Sequence, residues 1–600
     1  MKYLVSLVFL LLLSCAPTLL RQPLESTGLP FRYDYTVDLY DRADDRFKVE
    51  LRVSGLADSN DVFNFAAVYP GSYSIKDFGR FVRVFAAYDR EGNEIATAQI
   101  SQNQWRLSAP GEVARIYYEI AETWDTPVPT HPVNEMGGTS LEDDFVLING
   151  PGVFGYLRGL EDAPLRLFLL YPEEWLAGTA LAQDTAGFYF ADNYATLADS
   201  PLLLGNLTRA AKKIRGTDVY VYSYSFTGRV HAGQMLGSVE KVLKSADPFL
   251  NGLPAPEYTF LFVFEERAAG ALEHLGSSVY VTLDAPYQDV AQRMEDVIAH
   301  EYFHVVIPLT VRSELTADFD FLHPRPTAHL WFYEGVTEWA SDMMLLRGGA
   351  KKLEDFLRLS VRRKLIYETL KDPGVSLEQI SLNSYRQPDH YSSVYTKGAL
   401  TATLLDIRLL ELSGGQRGLR EVISDLRREY DRRRPFREDE LFGRIVDLTH
   451  PDIAGFIDHY IRGNTPLPLK AYFEKVGIEY YPEIPSSDGS GEGGVVLAAS
   501  DSAISVMWLD PEVASMGLQK GDVITALNGD SLHFANYDRF YEETSEMAPG
   551  TAYRLTVRRS GEAQELTCRT IPRKIRHGFR VMDSPSPAQK KLRNAWLRNL

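Results

Sequence analysis

The pentad His300-Glu301-Tyr302-Phe303-His304 combines residue types and a spacing that suit metal chemistry. On a helix, positions i and i+4 lie one above the other on one face, so both histidines could aim their rings at a single zinc ion. Glu301, one step round the helix, could reach a water on that ion and take its proton. Val297, Ile298, Phe303 and Val305 are apolar. That makes the helix a buried one, and a buried glutamate beside two histidines needs partners or a metal. The competing reading is a core helix that carries two histidines and no ion.

Two histidines leave a catalytic zinc one protein ligand short. The best third candidate is Glu334, in the segment Leu330-Trp331-Phe332-Tyr333-Glu334-Gly335-Val336-Thr337-Glu338-Trp339. Its periodicity predicts a helix buried through Trp331, Phe332 and Trp339, and Gly335 would let its backbone approach another element closely. Glu338, one turn beyond on the same face, could orient a ligating imidazole. The bland alternative makes Glu334 and Glu338 part of a solvated stripe. Glu314, Asp318 and Asp320 are other possible ligands, in a stretch that reads as an exposed loop.

The elements that must hold these groups belong to a chain of several domains. Its 600 residues suggest about three or four cores. A net charge of −18 argues against nucleic acid as a partner. The two cysteines, Cys15 and Cys568, can build neither a disulfide framework nor a cysteine metal site. Lys2 and the apolar run Leu4 to Leu13 read as an export signal. Leu12-Leu13-Ser14-Cys15 is similar to a bacterial lipobox, in which the signal is cut before the cysteine and the cysteine is acylated. Residues 1–27 are therefore expected to be a lipoprotein-type signal and linker, and the mature protein to sit lipid-anchored in the cell envelope, on the outer membrane. An ordinary signal peptide, or an uncleaved anchor reaching Leu20, is the alternative.

Residues 28–208 read as β-rich. Phe47, Val49, Leu51 and Val53 alternate with charged residues, Ile116 to Ile120 and Phe188 to Phe190 are further strands, and a β-sandwich fits best. In 209–480, Val219 to Phe226 and Tyr258 to Phe264 predict strands around a helix near Met235 to Leu243. Long helical segments come after them at Ala328 to Leu346 and Lys397 to Leu412, and Pro308 ends the HExxH helix. Ser486 to Gly494 reads as a linker within 481–575. There, Met516-Gly517-Leu518-Gln519-Lys520-Gly521-Asp522-Val523-Ile524 and Leu527-Asn528-Gly529 resemble the core of a PDZ domain. Residues 576–600 read as a basic, solvated C-terminal tail.

Together these features resemble the glycyl aminopeptidase family of gluzincin metallopeptidases. The carriers are Tyr69-Pro70-Gly71-Ser72-Tyr73-Ser74-Ile75-Lys76-Asp77-Phe78, Leu197-Ala198-Asp199-Ser200-Pro201, the pentad, Trp331 to Trp339, Tyr395-Thr396-Lys397-Gly398-Ala399-Leu400, and the closing Trp596-Leu597. The resemblance implies a multidomain α+β chain: an N-terminal β-sandwich, a thermolysin-like zinc peptidase domain with a mixed-sheet half and a helical half, and a C-terminal PDZ-like domain. It implies one zinc ion on His300, His304 and Glu334, with Glu301 as general base and Tyr395 binding the oxyanion. Gly270-Ala271-Leu272-Glu273-His274 is similar to the motif that captures the substrate's free amine, with Glu273 as the anchor. His274 is given no role. The chain departs from the family just after the pentad: Val305-Val306-Ile307-Pro308-Leu309-Thr310 replaces the usual Trp-Asn and basic stretch. The implied activity is removal of N-terminal residues from peptides. The rivals are a zinc endopeptidase of the same fold and a non-catalytic lipoprotein whose PDZ-like module binds a peptide or protein ligand.

Overall fold

In the stretch Arg46–Ser54, every second side chain is buried: Phe47, Val49, Leu51 and Val53 turn inward, and the charged residues between them face out. This strand lies inside a seven-stranded sheet, antiparallel to Arg32–Asp38 on one side and Arg115–Ala121 on the other. Two four-stranded sheets complete the N-terminal domain, which is sheet-rich as its sequence predicts. The computed structural model describes residues 32–267, 270–371, 374–386, 390–486, 489–500 and 503–598. Residues 1–27, expected to be a signal and linker and including Cys15, lie outside the described residues. Among the described residues, no helix is long and apolar enough to cross a membrane.

The next domain is built on a five-stranded mixed sheet. Thr217–Ser225, Glu257–Glu265 and Ser277–Leu283 run parallel at its centre. Helix Ala232–Leu250 makes the crossover between the first two. Gly270–Glu273 forms one edge, antiparallel to Ser277–Leu283. One continuous core joins this sheet to the helices Tyr287–Phe303, Val336–Arg347 and Ser393–Leu412. The sheet's other face is covered by the N-terminal domain, whose Phe145, Leu147 and Leu203 pack on Leu261, Val263, Val279 and Val281. The helical half therefore lies on the far side of the sheet from that contact.

Residues 495–569 form a separate six-stranded sheet with its own small core, in which Cys568 is fully buried. Two expectations need correction. Part of the predicted linker is paired, because Gly491–Glu492 bonds to Ile571–Pro572. The predicted solvated tail is folded: Lys574–Val581 pairs with Ile478–Pro485, and helix Pro587–Arg598 returns to the core of the mixed-sheet domain and buries Trp596 completely. Lys590, Lys591 and Arg598 are exposed while Arg593 reaches the Gly477 carbonyl, so a net basic composition concealed an amphipathic helix.

Candidate metal centre

The helix Tyr287–Phe303 carries His300 and Glu301, and His304 caps its C-terminus. The regular helix ends at Phe303, but His304 keeps helical dihedrals and turn bonds such as Ile307 N to the Phe303 carbonyl, at 3.4 Å, carry the chain on to Pro308. Glu334 lies on a wide π-helical turn, Trp331–Gly335, that leads into Val336–Arg347. Such turns push one side chain out of ordinary helical register and recur at functional sites. His300 Nε2 and His304 Nε2 come within 3.6 and 3.5 Å of Glu334 Oε2. The ligand atoms of this buried trio all lie within 4.8 Å of one another. Glu314, Asp318 and Asp320 join no such cluster among the described residues.

Both imidazoles are fixed from behind. His300 Nδ1 meets Glu338 Oε2 at 2.8 Å, and His304 Nδ1 meets the Ile307 carbonyl at 2.8 Å. Each ring thus commits Nδ1 to an acceptor and turns Nε2 toward Glu334, the orientation a metal ligand needs. Glu338 is held in turn. Lys364 Nζ donates to Glu338 Oε1 at 2.8 Å and to Asp342 Oδ2 at 2.9 Å. Lys351 donates to Asp342 Oδ1 at 2.8 Å and to Asp296 at 2.7 Å. A chain of alternating charges therefore runs back from His300 into the protein.

A cavity of about 190 Å³ opens in front of the trio, lined by Glu273, Glu301, Tyr391 and Tyr395 among others. The Tyr395 ring lies 5.8 Å from that of His300, and its hydroxyl bonds the Tyr391 hydroxyl at 2.7 Å. Burial pushes the Glu273 carboxyl well up, and the Glu334 and Glu301 charges push it further. Burial raises Glu301 to about 7, with Glu334 and Glu338 adding to the rise and His300 opposing it. Burial also lowers His304 to about 4. The centre holds more negative charge than its two imidazoles can balance, and a divalent cation among them would relieve it. Two imidazole nitrogens and a carboxylate oxygen form a donor set suited to zinc. The residues present therefore fit the ion.

The N-terminal domain roofs this cavity. Gly71, at φ +84°, turns so tightly that a Cβ there would come within 3.1 Å of Glu273 Oε1. Tyr73, in left-handed conformation at φ +45°, reaches Glu334. Burial works to raise the Glu334 carboxyl, but His304, His300 and a hydrogen bond from Tyr73 outweigh it and hold it low. Asp199 accepts from Leu275 N at 3.2 Å and contacts His274 Nδ1 at 3.1 Å, fixing the turn that comes after Glu273.

Glu273, His300, Glu301, His304, Glu334 and Tyr395 line one cavity, and Glu338 stands behind His300. Tyr73, Tyr391, Lys364 and Asp342 were not anticipated. Tyr73 does fall within the Tyr69 to Phe78 stretch, where its position beside the metal site has no signature of its own.

Gly335 behaves as its sequence context suggests. A Cβ on Gly398, in the Tyr395 helix, would lie 2.8 Å from Gly335 Cα, so the two helices meet backbone to backbone. Gly398→Val should push them apart, moving Glu334 away from the histidines. Overpacking of this kind costs about 1–3 kcal/mol. Thermal melts should show that loss, and zinc titration should show weaker binding; unaltered values in both would contradict the role given to this contact.

Two family models match the chain: the Peptidase M61 N-terminal domain over residues 34–206 and the M61 glycyl aminopeptidase over residues 293–401. The second span contains the pentad, Glu334, Glu338 and Tyr395. The fold is similar to the crystal structure of an aminopeptidase N family protein from Idiomarina loihiensis, with a TM-score of 0.79 at 21% identity over 94% of this chain and 100% of that one. More distant are yeast LTA4 hydrolase, with a TM-score of 0.47 at 14% identity over 74% and 70% of the two chains, and Legionella pneumophila aminopeptidase A, with 0.44 at 14% over 73% and 50%. No curated protein matches.

Proposed function

We propose that this chain, a member of the M61 glycyl aminopeptidase family, is a zinc-dependent aminopeptidase that releases the N-terminal residue of peptides. What supports this above all is that one buried cavity holds both the His300, His304 and Glu334 trio and the Glu273 carboxylate. The first suits a cation, and the second suits a substrate ammonium.

His300, His304 and Glu334 would hold the zinc, which supplies Lewis acidity toward a carbonyl and toward water. Glu301 takes the proton of the attacking water and returns it to the leaving amine. The Tyr395 hydroxyl donates to the oxygen on which charge develops. Glu273 accepts from the ammonium of the substrate and so sets where the chain is cut. Glu338 holds the His300 tautomer. We further propose that residues 1–27 direct export, with lipid attachment at Cys15 in the bacterial envelope, and that the C-terminal sheet is a PDZ-like module able to take a peptide end.

A panel of aminoacyl chromogenic substrates, run with and without a chelator, tests the central claim. Turnover should stop on chelation and return with zinc. Free peptides should be cut and their N-acetylated forms refused, because acetylation removes the charge that Glu273 binds. Equal cleavage of both forms would replace this reading with the endopeptidase, and a purified protein that contains no zinc and cleaves nothing would favour the binding lipoprotein.

A further inference from the structure

A second, larger cavity of about 780 Å³ shares Gly71 and Glu273 with the catalytic one. Its size falls in the range of small-ligand sites. Arg312 and Arg432 are on its wall. Arg312 is held in place by its backbone, whose carbonyl accepts from Phe436 N at 3.0 Å, while Ser313 bridges to Phe436. That contact ties it to the turn bearing Arg432. In the turn, Asp431 is taken up by the amides of Arg433 and Arg434 and by the Arg434 guanidinium at 2.9 Å. Arg432 is left without an ion pair among the described residues.

Arg312 is equally uncompensated. Its Nε is buried with no hydrogen-bond partner among the described residues. Burial and the Arg432 charge both press against its protonated form, and only Asp199 and Tyr333 oppose them. The acids of the cavity do not pair with either arginine. Asp199 serves His274 and Leu275, Asp318 faces Arg325 at 3.8 Å, and Asp320 accepts from Leu322 N and His323 N. Glu161 and Asp162 also line the cavity and form no ion pair with Arg312 or Arg432. Two neighbouring guanidinium groups with free donors facing one cavity match a carboxylate, which accepts from both. A half-buried charge without a partner is costly, so an anion that supplies one gains affinity.

We propose that Arg312 and Arg432 form a carboxylate subsite, so that the favoured substrates are short peptides held by their ammonium at Glu273 and by a carboxylate at this pair. The inference rests on the aminopeptidase reading. The carboxylate could be the peptide's C-terminus or an acidic side chain, and the substrates tell these apart.

The test compares kcat and KM of the zinc-loaded full-length protein on trialanine, trialanine amide, and alanine peptide amides bearing aspartate or asparagine at the second position. Alanine p-nitroanilide, which has no carboxylate, is the control. Losing one charge-assisted hydrogen bond should raise KM for the carboxylate-bearing substrate about tenfold. That rise should appear in Arg312→Gln and in the solvent-facing Arg432→Gln, with the p-nitroanilide unaffected in both. A preference for trialanine over its amide assigns the C-terminus, and one for aspartate over asparagine assigns the side chain. If wild type treats both pairs alike, or if the variants leave KM unchanged, the subsite is refuted. Calorimetric binding of trialanine and its amide to the Glu301→Gln holoprotein makes the same comparison without turnover. A protein that cleaves none of the substrates but still prefers trialanine there would overturn the aminopeptidase reading and leave the subsite standing.

Discussion

Glu301→Gln should retain its metal and lose its turnover. Glutamine keeps the size of the side chain and leaves His300, His304 and Glu334 untouched, so zinc content measured on the purified variant should equal that of the parent. What disappears is the group that accepts the proton. General-base catalysis of this kind is worth about 100- to 10,000-fold in rate. Burial, opposed by His300 and aided by the Glu334 and Glu338 charges, lifts the Glu301 carboxyl to about 7, above an exposed glutamate. A variant that keeps zinc and cleaves peptides within tenfold of the parent would end the assignment of Glu301 as base.

Lys364→Met should be the most damaging change away from the cavity itself. Lys364 neutralises Glu338 and Asp342 at once, at 2.8 and 2.9 Å, with its side chain only 11% exposed. Removing it leaves Glu338 with His300 alone and Asp342 with Lys351, which already serves Asp296. Breaking a buried ion pair from one side costs about 3–5 kcal/mol. The damage should reach the metal as well, because Glu338 orients His300, and loss of such support weakens metal binding about 10- to 100-fold. Denaturant melts and zinc competition titrations measure the two effects separately. Stability within 1 kcal/mol of the parent, together with unchanged zinc affinity, would show that the charge chain plays no part in holding the ligand.

The clustering of His300, His304 and Glu334 could be read from the chain because its signal is local. His300 and His304 are one helical turn apart, and Glu334 lies in a segment whose aromatic residues reveal its burial. Their support could not be read the same way. Lys351, Arg362, Arg363 and Lys364 look like ordinary surface charge, and only tertiary packing brings Lys351, on the loop after Val336–Arg347, and Lys364, on helix Arg362–Thr369, against Asp342. Tyr73 comes from a different domain and a left-handed backbone, which no periodicity reports. The closing helix was misjudged for the opposite reason: net basic charge described its outer face and hid the single tryptophan on its inner one. The strands of both sheet-rich domains were legible wherever one face is solvated, as in Phe47 to Val53, because period-two alternation survives only there.

That tryptophan ties the fate of the enzyme to how the chain is made. Arg347 Nε donates to the Trp596 carbonyl at 2.9 Å across 249 positions of sequence, and the same guanidinium pairs with the buried Asp406 at 2.5 Å. While a ribosome adds about 5–20 residues each second, roughly 12–50 s separate the synthesis of these two partners. Throughout that interval a nascent chain carries the HExxH pentad without the helix that packs Trp596 into the same core, so that part of the interior stays incomplete until the last helix arrives.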